Sequence, residues 1–398
     1  MGMTKSEESD ENVTQGSIGG PVLSSCNISK TLCIFFDGSP YEISYADLRL
    51  RSFGFQDDTC RFSTDLQSAQ NGNIMMEAIM KRKQLSLNLD KCATIIFDKK
   101  RRVKEARESL NSDKSLKIFN EPVTVKEKVN FLGDILHEQG VTKSAEVTVN
   151  LRYGRMLSTI YEISEFLKDF RADSIGAIRS GLMIYEMAVI PALLFNSNTW
   201  CYMNNNTIKT LENLQTKMFS VLFGVSDTAP RPILRFDLGC LTVLERIHIN
   251  KLTFVHFLQM SDEQSLAHNF YEIQVKYDFP SLVSECRELI EKYQLPNIID
   301  DKNLHFSKQK WKSLVKNAVR SVSEKEIKLQ FMNYSKLKDE KFQTEDFSLK
   351  EYIFKMNLKM ARTNFRVRSS MLPFKMNMKS DKKFADEMWR CDSCFSAG

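Results

Sequence analysis

From Ala145 onward the apolar residues fall into rows at helical spacing, and no other feature constrains the fold as much. Tyr153, Leu157, Ile160, Ile163 and Leu167 share one helical face. So do Ile175, Ile178, Leu182 and Tyr185, and again Ile208, Leu211, Leu214, Met218 and Leu222. Rows of this kind are the seams of a helical bundle core. Ahead of them, residues 15–140 alternate short apolar runs with turn signals. One helix is expected there, from Asp65 to Gln84, and Val123 to Leu136 returns to a strand pattern. The expected class is α+β, with an antiparallel sheet and its helices first and a mostly α-helical region after. The expected divisions are a disordered stretch 1–14, an α+β layer 15–140, helical regions 145–258 and 259–380, and a tail 381–398.

Within the first layer, Phe55-Gln56-Asp57-Asp58 closes the apolar run from Leu48 to Phe55. A strand that delivers two carboxylates to one turn can build a site for a hard divalent cation, Mg²⁺ or Mn²⁺. Two such cations can stabilise the attacking and leaving oxygens of a phosphoryl transfer. Taken alone, an Asp-Asp pair is commonly a solvated turn, so the neighbours decide. Upstream lies Gln15-Gly16-Ser17-Ile18-Gly19-Gly20-Pro21. Downstream come Leu87-Asn88-Leu89-Asp90-Lys91 and Val129-Asn130-Phe131-Leu132-Gly133. Gly16, Gly19 and Gly20 lack a Cβ, so backbone there can approach a base pair or phosphate closely.

The order and spacing of these four segments resembles the palm of a non-LTR (LINE-type) retrotransposon reverse transcriptase. In that family a Gln-Gly segment precedes the aromatic-x-Asp-Asp hairpin. A Leu-x-Asn-x-x-Lys segment and a Phe/Tyr-Leu-Gly segment come after it. The resemblance implies a partial palm over 15–140, a thumb over 145–258 and an RNA-directed DNA polymerase parent. It implies RNA template, DNA primer and deoxynucleotides as partners. It implies that Asp57 and Asp58 hold Mg²⁺ or Mn²⁺ and that Lys91 protonates the departing pyrophosphate. It makes Gln15, Gly16, Ser17, Gly19, Gly20, Pro21, Phe55 and Gln56 the nucleotide and template contacts, and Phe131, Leu132 and Gly133 the primer grip. Gln56 stands where the family usually has a small residue. A third carboxylate, expected upstream of Gln15, has no counterpart among the polar residues Thr4 to Asn12. The expectation is therefore a fragment that is inactive alone, or a non-catalytic nucleic-acid-binding remnant, or a helical interaction protein.

Two basic rows lie further on. Lys308, Lys312, Lys316 and Arg320 recur every four residues and form one stripe on a helix. Such a stripe can track a phosphate backbone or simply be a solvated face. Lys359, Arg362, Arg366, Arg368, Lys375 and Lys379 interleave with Phe365 and Phe374, a pattern that suits single-stranded nucleic acid. Near the end, Cys391 and Cys394 have the spacing of half a zinc site, and in the resembled family two more ligands come after such a knuckle.

Composition adds bounds. The chain has 398 residues, 42% of them apolar and 27% charged, with a net charge of +6 that permits nucleic-acid binding without demanding it. The most apolar segment, Gly181 to Phe195, is too short to span a bilayer, so no membrane partner is expected. Nine cysteines without a secretory leader read as reduced thiols in the nucleus or cytoplasm.

Overall fold

The computed structural model describes residues 43–45, 48–50, 52–55, 58–97, 103–112, 115–169, 174–227, 229–277, 279–301, 304–334 and 341–371. The chain divides into two units, Met1–Ser144 and Ala145–Gly398. Gln15 to Pro21, Gln56, Asp57, Cys391 and Cys394 lie outside the described residues, as do Phe374, Lys375 and Lys379.

The first unit is built from hairpins and helices. Strands β1 (Ile43–Tyr45) and β2 (Leu48–Leu50) pair antiparallel, as do β3 (Ser52–Phe55) and β4 (Asp58–Arg61). Helix α1 (Leu66–Lys83) starts where Asp65 accepts the Ser68 N–H at 2.8 Å, an N-cap that satisfies one of the helix's free donors. A 3₁₀ turn, Leu89–Lys91, and helix α2 (Val103–Ser112) come next. Then come the hairpins β5 (Leu116–Ile118) with β6 (Glu121–Val123), and β7 (Lys128–Phe131) with β8 (Asp134–His137).

The described strands form four separate two-stranded hairpins rather than the one antiparallel sheet expected of a palm. A physical reason is visible at β5. The Gln70 side chain accepts the Lys117 N–H at 2.8 Å and donates to the Lys117 carbonyl at 3.1 Å, and Asn73 donates to the same carbonyl at 3.0 Å. Side-chain amides of α1 thus occupy the edge that a further strand would need. Leu116, Ile118 and Val123 form the small core there, with Ala69, Leu87 and Leu89 packed against it.

The second unit is helical. It comprises α3 (Val141–Asp169, which begins just before the boundary), α4 (Ala177–Ile184), α5 (Ile190–Leu193), α6 (Asn205–Phe223), α7 (Arg231–Leu238) and α8 (Val243–Gln259). It continues with α9 (Leu266–Lys276), α10 (Leu282–Lys292), α11 (Lys308–Asn333), α12 (Lys341–Thr344), α13 (Glu351–Lys355) and α14 (Leu358–Arg368). One π turn, Tyr185–Val189, joins α4 to α5. Pro191 lies just beyond it, and its missing N–H disturbs the regular ladder.

Two cores fill this unit. One gathers α3, α4, α6 and α7 with Ile327, Phe331, Phe342, Phe347 and Phe365. The other gathers Leu252, Val255, Val283, Cys286, Trp311 and Val315. Helices α8 and α11 run through both, with Val243 and Ile247 in the first core and Ile249 to Leu258 in the second. Each fully buried Leu, Ile or Phe contributes about 1.5–3 kcal/mol.

The C-terminal stretch closes on α7 at Gly239. This residue has φ +62, and a Cβ on it would stand 2.7 Å from the Leu349 nitrogen and the Ser348 carbonyl carbon. Its left-handed conformation ends α7, with the Gly239 and Cys240 N–H groups bonding back to the Phe236 and Arg235 carbonyls. Gly239→Ala combines a positive-φ penalty with overpacking against backbone. It is expected to destabilise the second unit by about 2–4 kcal/mol in urea unfolding. A change within about 0.5 kcal/mol would show that the two segments do not meet this closely.

Candidate functional site

Strands β3 and β4 meet in register Ser52–Arg61, Phe53–Cys60, Gly54–Thr59 and Phe55–Asp58. Phe55 and Asp58 are therefore the last pair, and Asp58 opens β4. The strand after the carboxylate pair is fixed by its far end. Arg61 is half-buried and donates to the Ala69 carbonyl at 2.5 Å and to Asn73 Oδ1 at 2.8 Å, both on α1. Burial lowers the Arg61 pKa and raises that of the Cys60 thiol.

Lys91 ends the 3₁₀ turn with its side chain exposed. Three residues on, Thr94 bridges Val125: the Thr94 N–H reaches the Thr124 carbonyl at 3.0 Å and the Lys126 N–H reaches the Thr94 carbonyl at 2.8 Å. Asn111 holds the same segment from α2, accepting the Val125 N–H at 2.9 Å and donating to its carbonyl at 3.1 Å. Lys91 is thus on a backbone tied to the approach of β7.

Phe131, Leu132 and Gly133 form the turn of the β7–β8 hairpin. Phe131 pairs with Asp134, and Leu132 and Gly133 have φ of +50 and +82. Positive φ at both central positions makes a turn of the type whose twist suits a two-residue hairpin, and it explains the glycine. Arg107 of α2 holds the base of this hairpin through Glu138 at 2.6 Å. Among the described residues no three His, Cys, Asp or Glu side chains gather as a metal site, and no helix is long and apolar enough to cross a membrane.

The basic rows separate in the structure. Lys308, Lys312 and Lys316 lie exposed on α11, beside the row of buried Trp311, Val315 and Val319, and pair with none of the described residues. Arg320 does not continue their stripe. It donates to the Phe347 carbonyl and covers the Phe347 ring at 5.1 Å.

The second row is turned inward. Arg362 donates to the Leu222 and Val221 carbonyls at 3.1 and 3.0 Å, and Arg366 to the Gly224 carbonyl at 2.6 Å. Both guanidinium groups therefore cap the negative end of α6. Phe365 is buried and stacks on Phe223 with ring centres 3.8 Å apart. Arg362, Arg366 and Arg368 therefore spend their guanidinium groups on helix-to-helix contacts, whereas Lys359 is exposed.

Arg368 leads to a site that sequence spacing does not single out. Its Nε and Nη2 reach the two oxygens of Asp237 at 3.0 Å each, and Tyr352 donates to Asp237 at 2.6 Å. The same guanidinium holds Glu345 at 3.1 and 2.7 Å, and Lys350 holds Glu345 at 2.8 Å. Asp237 is 0% exposed. The one signal in the sequence is a carboxylate between two apolar residues, Phe236 and Leu238. Burial pushes the Asp237 carboxyl up, against the pull of Arg368 and Tyr352. Burial alone would also raise Glu345, but hydrogen bonds from Arg368 and Lys350 bring it down to about 2.

No protein-family model, curated protein or solved structure matches the chain.

The depressed Glu345 sets a pH dependence. A carboxyl lower in the folded state contributes stability that is complete above its unfolded pKa, near 4.5, and is lost as pH falls through about 2. Urea unfolding at a series of pH values from 7 to 2 is expected to show Glu345→Gln less stable than wild type at pH 7, with the gap closing below pH 4.5. Parallel curves would mean that the carboxylate is not held by Arg368 and Lys350.

Proposed function

We propose that this chain is a piece of an RNA-directed DNA polymerase of the non-LTR retrotransposon type, with Asp57 and Asp58 at its metal-bearing hairpin. The observation that carries the reading is the pairing of β3 with β4. Phe55 pairs with Asp58 at the last position, so an aromatic strand end and a carboxylate strand start meet at the end of a hairpin. Support comes from the order of the elements downstream: a helix, a segment ending in exposed Lys91, and a tight hairpin turn at Leu132-Gly133.

In that reaction a primer 3′-hydroxyl attacks the α-phosphate of a deoxynucleotide and pyrophosphate leaves. Divalent cations, when bound, stabilise the charge on both oxygens. Asp57 and Asp58 are the residues that would hold them. Lys91 would give its proton to the leaving pyrophosphate, and the Phe131–Gly133 turn would steady the primer. Two carboxylates offer little charge for two close cations. The 398-residue chain by itself is therefore expected to hold a cation weakly and not to extend a primer.

Iron-mediated backbone cleavage tests the site without requiring turnover. Fe²⁺ replaces Mg²⁺ and, with ascorbate and peroxide, cuts the chain near where it binds. Cleavage close to residues 57–58, enhanced by primer–template and deoxynucleotide and lost in Asp57→Asn with Asp58→Asn, is the expected result. Scattered cleavage, or cleavage unchanged in the double variant, sinks the proposal.

A second reading, a non-catalytic nucleic-acid binder, is favoured by one observation: Lys308, Lys312 and Lys316 are exposed, aligned and without partners among the described residues. Three phosphate contacts on a single strand correspond to a slope of about −2 in log affinity against log salt. Replacing the three lysines with glutamine is expected to remove that much of the slope for single-stranded RNA in anisotropy titrations. An unchanged slope assigns the row to solvent.

A further inference from the structure

The second unit contains a cavity of about 300 Å³ against α6, α7, α8 and α11. This is the lower end of the size range of small-molecule sites. Its lining is mostly polar, with Phe219, Pro232, Leu234 and Leu244 as its apolar part, and Arg235, Glu245 and His248 are among its polar residues.

These three polar residues are only partly satisfied. Arg235 spends Nε on the Cys240 carbonyl at 3.4 Å and Nη2 on Glu245 at 3.1 Å and Ser323 at 2.9 Å, which leaves Nη1. Glu245 uses Oε2 alone, for Arg235 and for the Thr242 N–H at 2.6 Å, which leaves Oε1. His248 engages Tyr293 through Nδ1 at 2.7 Å, which leaves Nε2. Glu245 and His248 are buried residues, yet none of the three spare atoms is sealed in the protein interior. All three residues line the one cavity. A spare donor and spare acceptors on one cavity are the hydrogen-bonding capacity that a polar ligand would use.

The charges choose the class. Three acids and three bases line the cavity and pair with one another: Arg231 with Glu212 at 3.5 Å, Arg235 with Glu245 at 3.1 Å and Lys292 with Glu326 at 3.9 Å. Burial, with Lys292 and Lys251 nearby, lowers His248 to about 3, so its ring is neutral at pH 7. Neither a phosphate nor a metal ion gains from a lining already balanced. A full zwitterion would lose its hydration to groups whose charges are spent on each other. A neutral ring with an acceptor next to a donor fits better: Arg235 Nη1 donates to its acceptor, Glu245 Oε1 accepts from its donor, and the apolar side chains cover its faces.

We infer that this cavity is a binding site for a neutral planar heterocycle of the nucleobase class, held by Arg235, Glu245 and His248. The inference does not depend on the polymerase reading, and its test leaves Asp57 and Asp58 untouched.

The four ribonucleosides, leucine and inorganic phosphate are titrated against the whole chain by calorimetry, with ligand-detected NMR as a cross-check. At least one nucleoside is expected to bind saturably at millimolar concentration or below, and leucine and phosphate are not. Leu244→Trp fills the cavity without touching a hydrogen bond and is expected to weaken binding at least tenfold. Glu245→Gln keeps an oxygen for the Thr242 N–H and presents an amide N–H in place of Oε1. It is expected to reorder the nucleosides, because a donor then stands where an acceptor stood. Far-UV circular dichroism confirms that each variant is folded, and Leu244→Trp decides alone if Glu245→Gln is not. Absence of nucleoside binding, binding of leucine or phosphate instead, or affinities unmoved in the folded variants overturns the inference.

Discussion

A carboxylate with no access to water governs how the helical unit closes. Asp237 lies in the last turn of α7, and its charge has to be met by groups that come from far along the chain. Arg368 and Tyr352 meet it, and Glu345 and Lys350 complete the network around Arg368. A buried pair of this kind adds little net stability over an apolar substitute, yet breaking one half costs about 3–5 kcal/mol. It therefore acts on register. Once Arg368 is fixed on Asp237, α14 lies where Phe365 stacks on Phe223 and where Arg362 and Arg366 reach the end of α6. Phe236, next to Asp237, is surrounded by Phe331, Phe342 and Phe347, with Lys350 over its ring at 4.4 Å. The ionic contact and the aromatic core fix the same arrangement.

Much of this is legible locally and little of it at long range. The helix expected from Asp65 to Gln84 is Leu66–Lys83, because the Asp65 cap and the periodic pattern after it are local signals. The row Leu211, Leu214, Met218 and Leu222 is buried as its spacing implies. Ile175 departs from its row at 67% exposed, because it precedes α4 and bridges Asn357 instead of continuing a helical face. The row Arg362, Arg366 and Arg368 misleads because spacing gives the face of a helix and not what covers it. The carbonyls of Val221, Leu222 and Gly224 lie about 140 residues away in sequence. For the hairpin of Phe55 and Asp58, alternation and turn chemistry suffice. The separation of the hairpins does not show, since nothing in Gln70 or Asn73 announces that each will occupy a strand edge.

Arginine and lysine divide the positive charge by chemistry. The planar guanidinium makes several directed bonds and tolerates partial burial, so Arg61, Arg152, Arg235, Arg320, Arg362 and Arg368 are all bound to carbonyls, carboxylates or amides. The ammonium of lysine is strongly hydrated and costly to bury. Lys251 is the exception: it is fully buried, with Glu285 at 2.6 Å as its partner. A basic stripe is therefore a better guide to an external anion when it is made of lysines, as at Lys308, Lys312 and Lys316, than when arginines dominate it.

The same distinction between spent and spare valences separates a structural polar cluster from a binding site. Around Asp237 both carboxylate oxygens are engaged, and Arg368 is bound through Nε, Nη1 and Nη2. Nothing is left for a ligand, and the cluster can only hold helices. Around Arg235 the ion pair is just as close, but one nitrogen and one oxygen of the pair remain free beside a third spare atom on His248. None of these three atoms is sealed in the interior, so a ligand can reach them. Both pairs are largely buried, so burial alone does not distinguish them. Their unused hydrogen-bonding capacity does, and it is concentrated where the second unit has a cavity.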